Sequence, residues 1–81
     1  MAVEYKIRFA VPKDYDPTGF FPRLPSPISR PQMKEIYNFR VDFDGFYFVD
    51  RLVDSKVAAL ALRLFLDEAL SQSGSIVVEK L

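Results

Sequence analysis

Residues 3–11, VEYKIRFAV, alternate without a break: Val3, Tyr5, Ile7, Phe9 and Val11 share one parity, and Glu4, Lys6, Arg8 and Ala10 the other. A period of two is the spacing of a half-buried strand, so this end of the chain is committed to a sheet with one dry and one wet face. Pro12 lacks a backbone donor and closes the run. A second alternating set, Tyr37, Phe39, Val41 and Phe43 with Asn38, Arg40 and Asp42 between, runs into Asp44-Gly45. An Asp-Gly link predicts a type I′ hairpin, in which both turn residues need positive φ. That turn sets Phe43 opposite Phe46 and Val41 opposite Phe48 on one face, with Asp42 opposite Tyr47 and Arg40 opposite Val49 on the other. The third strand ends between Val49 and Leu52, because further alternation would carry Asp50 to the apolar face.

The period then changes to that of a helix. Asp54 or Ser55 can cap its start, the pattern spans about residues 55 to 72, and Gly74 is the expected left-handed stop. At about 100° per residue, Lys56, Arg63 and Asp67 make a polar stripe, the last two an i,i+4 ion pair. Ala58, Ala61, Leu62, Phe65, Leu66 and Ala69 lie opposite, toward the sheet, and Val57, Leu60 and Leu64 fall on a flank beside the charges. A helix apolar over so much of its girth has a second surface to bury. The closing SIVVEKL reads as a strand through Ile76, Val77 and Val78.

The expected fold is therefore one small α+β domain over residues 1–81, in the order β, long loop, β-hairpin, α, β. It is a two-layer sandwich: a four-stranded, largely antiparallel sheet with one helix packed on one face. If the third and fourth strands run parallel, the last three elements make a right-handed crossover. A chain of 81 residues is near the lower limit for a self-sufficient core, but eight Phe and four Tyr supply large buried areas, and with no Cys there is no disulfide framework to help.

Residues 12–34 form a proline-rich loop or arm between the first two strands, and Pro17, Pro22, Pro25, Pro27 and Pro31 stiffen it. Three uses are open. The segment is a strap whose Phe20, Phe21, Leu24 and Ile28 pack on their own domain, an arm that docks on another chain, or a regulatory tract with Ser26-Pro27 as a modification site. Adjacent phenylalanines argue against simple disorder. Pro22-Arg23-Leu24-Pro25 has PxxP spacing but lacks the flanking basic residue of the usual SH3 ligands.

Catalytic chemistry is poorly provided for. The chain has no His and no Cys, and Gly19, Gly45 and Gly74 are too far apart to cradle a phosphate. Asp42, Asp44, Asp50 and Asp54 are the remaining catalytic or metal candidates. Asp42-Phe43-Asp44-Gly45 opens like a calcium loop, yet Phe46, Phe48 and Val49 stand where later oxygen ligands are needed. No enzyme activity, cofactor or metal is expected. Residues 1–40 carry seven cations and four carboxylates and residues 41–81 the reverse, a polarity that folding can cancel.

The expected function is a protein-protein interaction module, a homodimer or a small subunit of a larger assembly, using Phe20, Phe21, Leu24, Val57, Leu60 and Leu64. The alternative is single-stranded nucleic-acid binding through a sheet face bearing Lys6, Arg8, Arg40, Tyr47 and Arg51. Glu4, Asp42 and Glu79 on that face and a pI near 6.2 weigh against it. The N-terminus has no unbroken apolar leader, and the longest apolar run, Val57 to Leu62, is far below a membrane span; a cytoplasmic protein without membrane contact is expected.

Overall fold

The computed structural model describes residues 2–25 and 35–81. Ser26-Pro27 and Ile28 lie outside the described residues. Four strands form one sheet: β1 (Val3–Arg8), β2 (Tyr37–Asp42), β3 (Gly45–Asp50) and β4 (Val77–Lys80), in the order β2-β3-β1-β4, with every neighbouring pair antiparallel. A long helix, α1 (Ser55–Gln72), packs on one face. Because β3 and β4 are both antiparallel to β1, they run parallel to each other, and α1 crosses over β1 to connect them. The fold is the small α+β sandwich that the alternation and the helical period predict.

The core is aromatic and centred on Phe65, which is fully buried. Its ring lies 4.9 Å from Phe39, 5.0 Å from Phe20, 5.1 Å from Phe46 and 5.5 Å from Phe48. Ala58, Ala61 and Ala69 share its face of the helix and are buried with it, so the small side chains let α1 sit close while the one large ring fills the gap. Asp54 caps the helix, its Oδ1 accepting from the Lys56 and Val57 amides at 3.2 Å each. The stop is different from the expected one. Ser73 is extended at φ −143°, and Gly74 has no positive φ, so the helix ends without a left-handed residue.

The hairpin register also departs from the sequence expectation. Asp42 pairs with Gly45, Arg40 with Tyr47 and Phe39 with Phe48, so the connecting residues are Phe43 and Asp44 rather than Asp44 and Gly45. Neither Phe43 nor Asp44 has a positive φ, which excludes type I′. The glycine is needed inside the ladder. Gly45 has φ +147°, and a Cβ there would lie 1.9 Å from the Ile7 carbonyl oxygen. The shift is two residues, so every side chain keeps its face and the aromatic face survives. Only Phe43 loses its place, turning out to 93% exposure.

Strand β1 stops at Arg8, three residues before the alternation does; the Phe9 amide still donates to the Asp44 carbonyl at 3.2 Å, and the ring is buried against Phe46. Ile76 precedes β4 rather than belonging to it, and is half-buried against the core.

Candidate functional site

The sheet face turned away from α1 gathers the residues expected of a nucleic-acid surface, and it is a closed ion network. Lys6 lies at its centre, 8% exposed, with Nζ 2.7 Å from both Asp42 Oδ2 and Asp44 Oδ1. Arg8 binds Asp44 at 2.7 Å and Glu79; Arg40 binds Asp42 at 2.6 Å. The register explains how carboxylates of the hairpin reach β1. Gly45 stands between Asp42 and Arg8, and no side chain projects from it to block the way. Tyr47 donates its hydroxyl to Glu4, and Arg40 stacks over the Tyr47 ring at 4.6 Å. Arg51 donates to Asn38 Oδ1 at 2.6 Å.

The electrostatics follow from those contacts. Burial alone would push the Lys6 ammonium down, but its bonds to Asp42 and Asp44 outweigh that and raise it above the ordinary lysine value. Hydrogen bonds from Arg40 and Lys6 push Asp42 down to about 2, and Lys6 likewise lowers Asp44. Lys6, Arg8 and Arg40 are each paired with a carboxylate of this chain, with which a phosphate would have to compete, while Arg51 is held only by the Asn38 amide. The five residues of the nucleic-acid alternative are thus brought to one face, but the charges of Lys6, Arg8 and Arg40 are already balanced by Asp42, Asp44 and Glu79.

The proline segment packs on its own sheet as far as it is described. Two successive 3-10 turns, Pro17–Gly19 and Phe21–Arg23, shape it, the first capped by Asp16, whose Oδ1 accepts the Thr18 amide at 3.0 Å. Phe20 and Leu24 are buried in the core, so the expectation that they present themselves to another chain is corrected: both are inside. Phe21 lies tilted against Phe39, with ring centroids 5.3 Å apart, and keeps partial exposure. Tyr15 donates to Glu68 Oε2 at 2.6 Å, tying the strap to one flank of α1. Burial, followed by that acceptor, raises the Tyr15 phenol.

Helical periodicity puts Val57, Leu60 and Leu64 on the same flank as Glu68, the strap side. Val57 and Leu64 are half-buried against the core, and of the three only Leu60 is exposed, at 53%. The sequence reading missed the other flank. Leu62, Leu66 and Leu70 lie on the opposite side of the buried Ala58, Ala61, Phe65 row, the side toward β4; Leu62 and Leu66 are half-buried and Leu70 is 47% exposed. Beside them Val78, which pairs with the fully buried Ile7 and so faces the helix layer, is 46% exposed.

The dimensions account for this gap. Four strands at roughly 4.8 Å spacing make a sheet about 19 Å wide, whereas a helix with its side chains is about 10–12 Å across. The strap covers the β2 side, and nothing among the described residues covers the β4 side. The signal was present in the sequence as two apolar residues at successive positions of a terminal strand, Val77 and Val78, which a strand with one dry face does not need.

Among the described residues, no group of His, Cys, Asp or Glu has the arrangement of a metal site, and no helix is long and apolar enough to cross a membrane. Compared with known proteins, the chain matches no family model, no curated protein and no solved structure.

Proposed function

We propose that this protein is a non-enzymatic protein-protein interaction module that joins an assembly through the uncovered strip between α1 and β4. The observation that carries the reading is the 46% exposure of Val78 on the dry side of the sheet, with Leu70 47% exposed on the flank of the helix turned toward β4. An apolar strip at an unpaired sheet edge is the geometry that strand addition and groove docking use. The lack of His and Cys in the sequence supports a role without chemistry, as does the internal pairing of the sheet-face carboxylates. Those same ion pairs weigh against single-stranded nucleic acid as the ligand.

A photo-crosslinking amino acid at Leu70, compared with one at Arg63 on the polar stripe, tests the reading. Adducts of defined mass at position 70, lost on adding excess unlabelled protein and absent at position 63, are expected. No adduct at position 70, either with the purified protein or in a lysate, would sink it. Anisotropy of a labelled single-stranded oligonucleotide at low salt, where phosphate contacts are strongest, is expected to stay flat.

A further inference from the structure

We propose that the occupant of this strip is a second copy of the same chain, joined through antiparallel pairing of β4 with its symmetry mate about Val78. The inference rests on the interaction reading above and goes further by naming partner and register.

The backbone of β4 dictates which groups are on offer. The Leu81 amide donates to the Glu4 carbonyl at 2.9 Å, so residues of that parity, 79 and 77, turn their amides and carbonyls toward β1. Val78 and Lys80 therefore direct theirs outward, at the terminal position of the sheet. Edge strands of proteins that stay monomeric are protected by short length, charges such as lysine, proline, bulges or covering segments; β4 is short and carries Glu79 and Lys80, so pairing is open only in a register that leaves those charges unopposed. β4 reads VVEK, holds its register with β1 without interruption, and is the last strand on its side.

A two-fold axis normal to the sheet keeps the faces continuous, which allows only registers that pair residues of equal parity. Two centre the strands on each other. Centring on Glu79 sets Glu79 against its own copy, a like-charge pair at the closest spacing of the ladder. Centring on Val78 avoids this. Val78 meets Val78 of the second copy on the helix side, Val77 meets Glu79, and Ile76 meets Lys80, so no like charges are opposed. The outward amides and carbonyls of Val78 find each other across the axis, and those of Lys80 find Ile76. The half-exposed Val78 side chains then lie against one another, and the two Leu66 and Leu70 flanks turn toward the same axis. Charge pattern, backbone direction and uncovered apolar surface select one arrangement, an eight-stranded sheet running through two molecules.

The chain has no Cys, so single cysteines report proximity without background. Directly opposite Cα atoms in a hydrogen-bonded antiparallel pair are about 5.5 Å apart, within disulfide range. Cysteine is introduced in turn at positions 76 to 80 and oxidised, and the wild-type protein is followed by sedimentation equilibrium up to about 1 mM. The expected result is a dimer whose cross-linking peaks with Val78→Cys. Val78→Pro removes an outward amide that the monomer does not use, so the fold is retained, checked by amide spectra, while association weakens about tenfold or more. Lys80→Pro, altering the other outward amide, should act in the same direction and guards against a local effect of the first variant. A strict monomer, a cross-linking maximum at position 79, or a dimer indifferent to both prolines would each overturn the proposal. Persisting adducts from position 70 to a different protein would in that case leave the interaction reading standing, and their absence would remove both.

Discussion

Replacing Lys6 by Met should make the protein less sensitive to acid, and the size of the effect can be worked from the ion network. The Lys6 side chain is 10% exposed and its Nζ sits 2.7 Å from both Asp42 and Asp44. With the ammonium gone, each carboxylate keeps only an arginine that is far more open to water, Arg40 at 65% and Arg8 at 48% side-chain exposure. Asp42 is held at about 2 against 3.8 for a free aspartate. At about 1.4 kcal/mol per pH unit that difference has a ceiling near 2.4 kcal/mol; solvent screening and the share owed to Arg40 reduce the part lost with Lys6 to about 1 kcal/mol. A depressed carboxylate stabilises the fold above its unfolded value and loses that contribution as pH falls through its folded value, so the window is pH 4 down to 2. Urea unfolding followed by far-UV circular dichroism at pH 6 and pH 2 reads the difference. Lys6→Met should be less stable than wild type by about 1 kcal/mol at pH 6 and nearly equal to it at pH 2. An equal gap at both values would mean that the lysine stem matters for its packing and not its charge, and the electrostatic argument would be wrong.

Phe65→Ala should cost about 3–5 kcal/mol, a large part of the roughly 4–12 kcal/mol expected for a chain of this size, whereas Phe43→Ser should stay within about 0.5 kcal/mol; thermal unfolding of the pair compares a ring at the hub with one in water. Gly45→Ala should lose about 3 kcal/mol or more, because its Cβ would collide with the Ile7 carbonyl, and hydrogen exchange should show the β1–β3 amides failing first. Leu52, a non-glycine residue at φ +62°, should gain about 0.5–1 kcal/mol when changed to Asn, which tolerates that conformation, as read by the urea midpoint. Tyr37, raised to about 12 by burial, should ionise above the range of a free tyrosine in a spectrophotometric titration, and stability should fall as pH rises from about 10 to 12, since the unfolded phenol ionises first.

The elements and faces were legible because they depend on local periodicity. Alternation placed Tyr5, Ile7, Phe39, Phe46 and Phe48 on the dry side of the sheet, and the helical period found the Ala58, Ala61, Phe65, Ala69 row. What failed depends on neighbours distant in sequence. Asp-Gly is a turn signal when only the hairpin is considered, but Gly45 is required by the close passage of β1, some 37 positions earlier, and so it belongs to the ladder. Gly74 likewise reads as a helix stop although Ser73 ends the helix in an extended conformation. Alternation also placed Asp42 and Glu79 beside the basic residues of β1 and β2, which weighed against a phosphate-binding face; what spacing did not reveal is that Asp44, expected to serve only the turn, reaches both Lys6 and Arg8.

The same limit governs the proposed interface. Helical periodicity counts the apolar residues on a helix but does not say which of its flanks receives a covering segment, and here the strap arrives on the flank of Glu68 through Tyr15. The two kinds of exposed apolar residue therefore differ in meaning. Phe43 in the hairpin turn, Leu52 and Val53 in the β3–α1 connection and Leu60 on the strap flank stand in separate places, and isolated apolar side chains on a surface need no explanation. Leu70 and Val78 are exposed on the same β4 side of the molecule, where Leu62, Leu66 and Ile76 are half-buried against the core. Polar substitutions separate these cases. Phe43→Ser and Leu60→Ser should leave the sedimentation constant unchanged, while Leu70→Ser should weaken association without reducing stability, because a side chain nearly half in water contributes little to the monomer's own core. If Leu60→Ser instead abolished association, the strap flank would be the interface, and the width of the sheet would no longer explain where the molecule meets its partner.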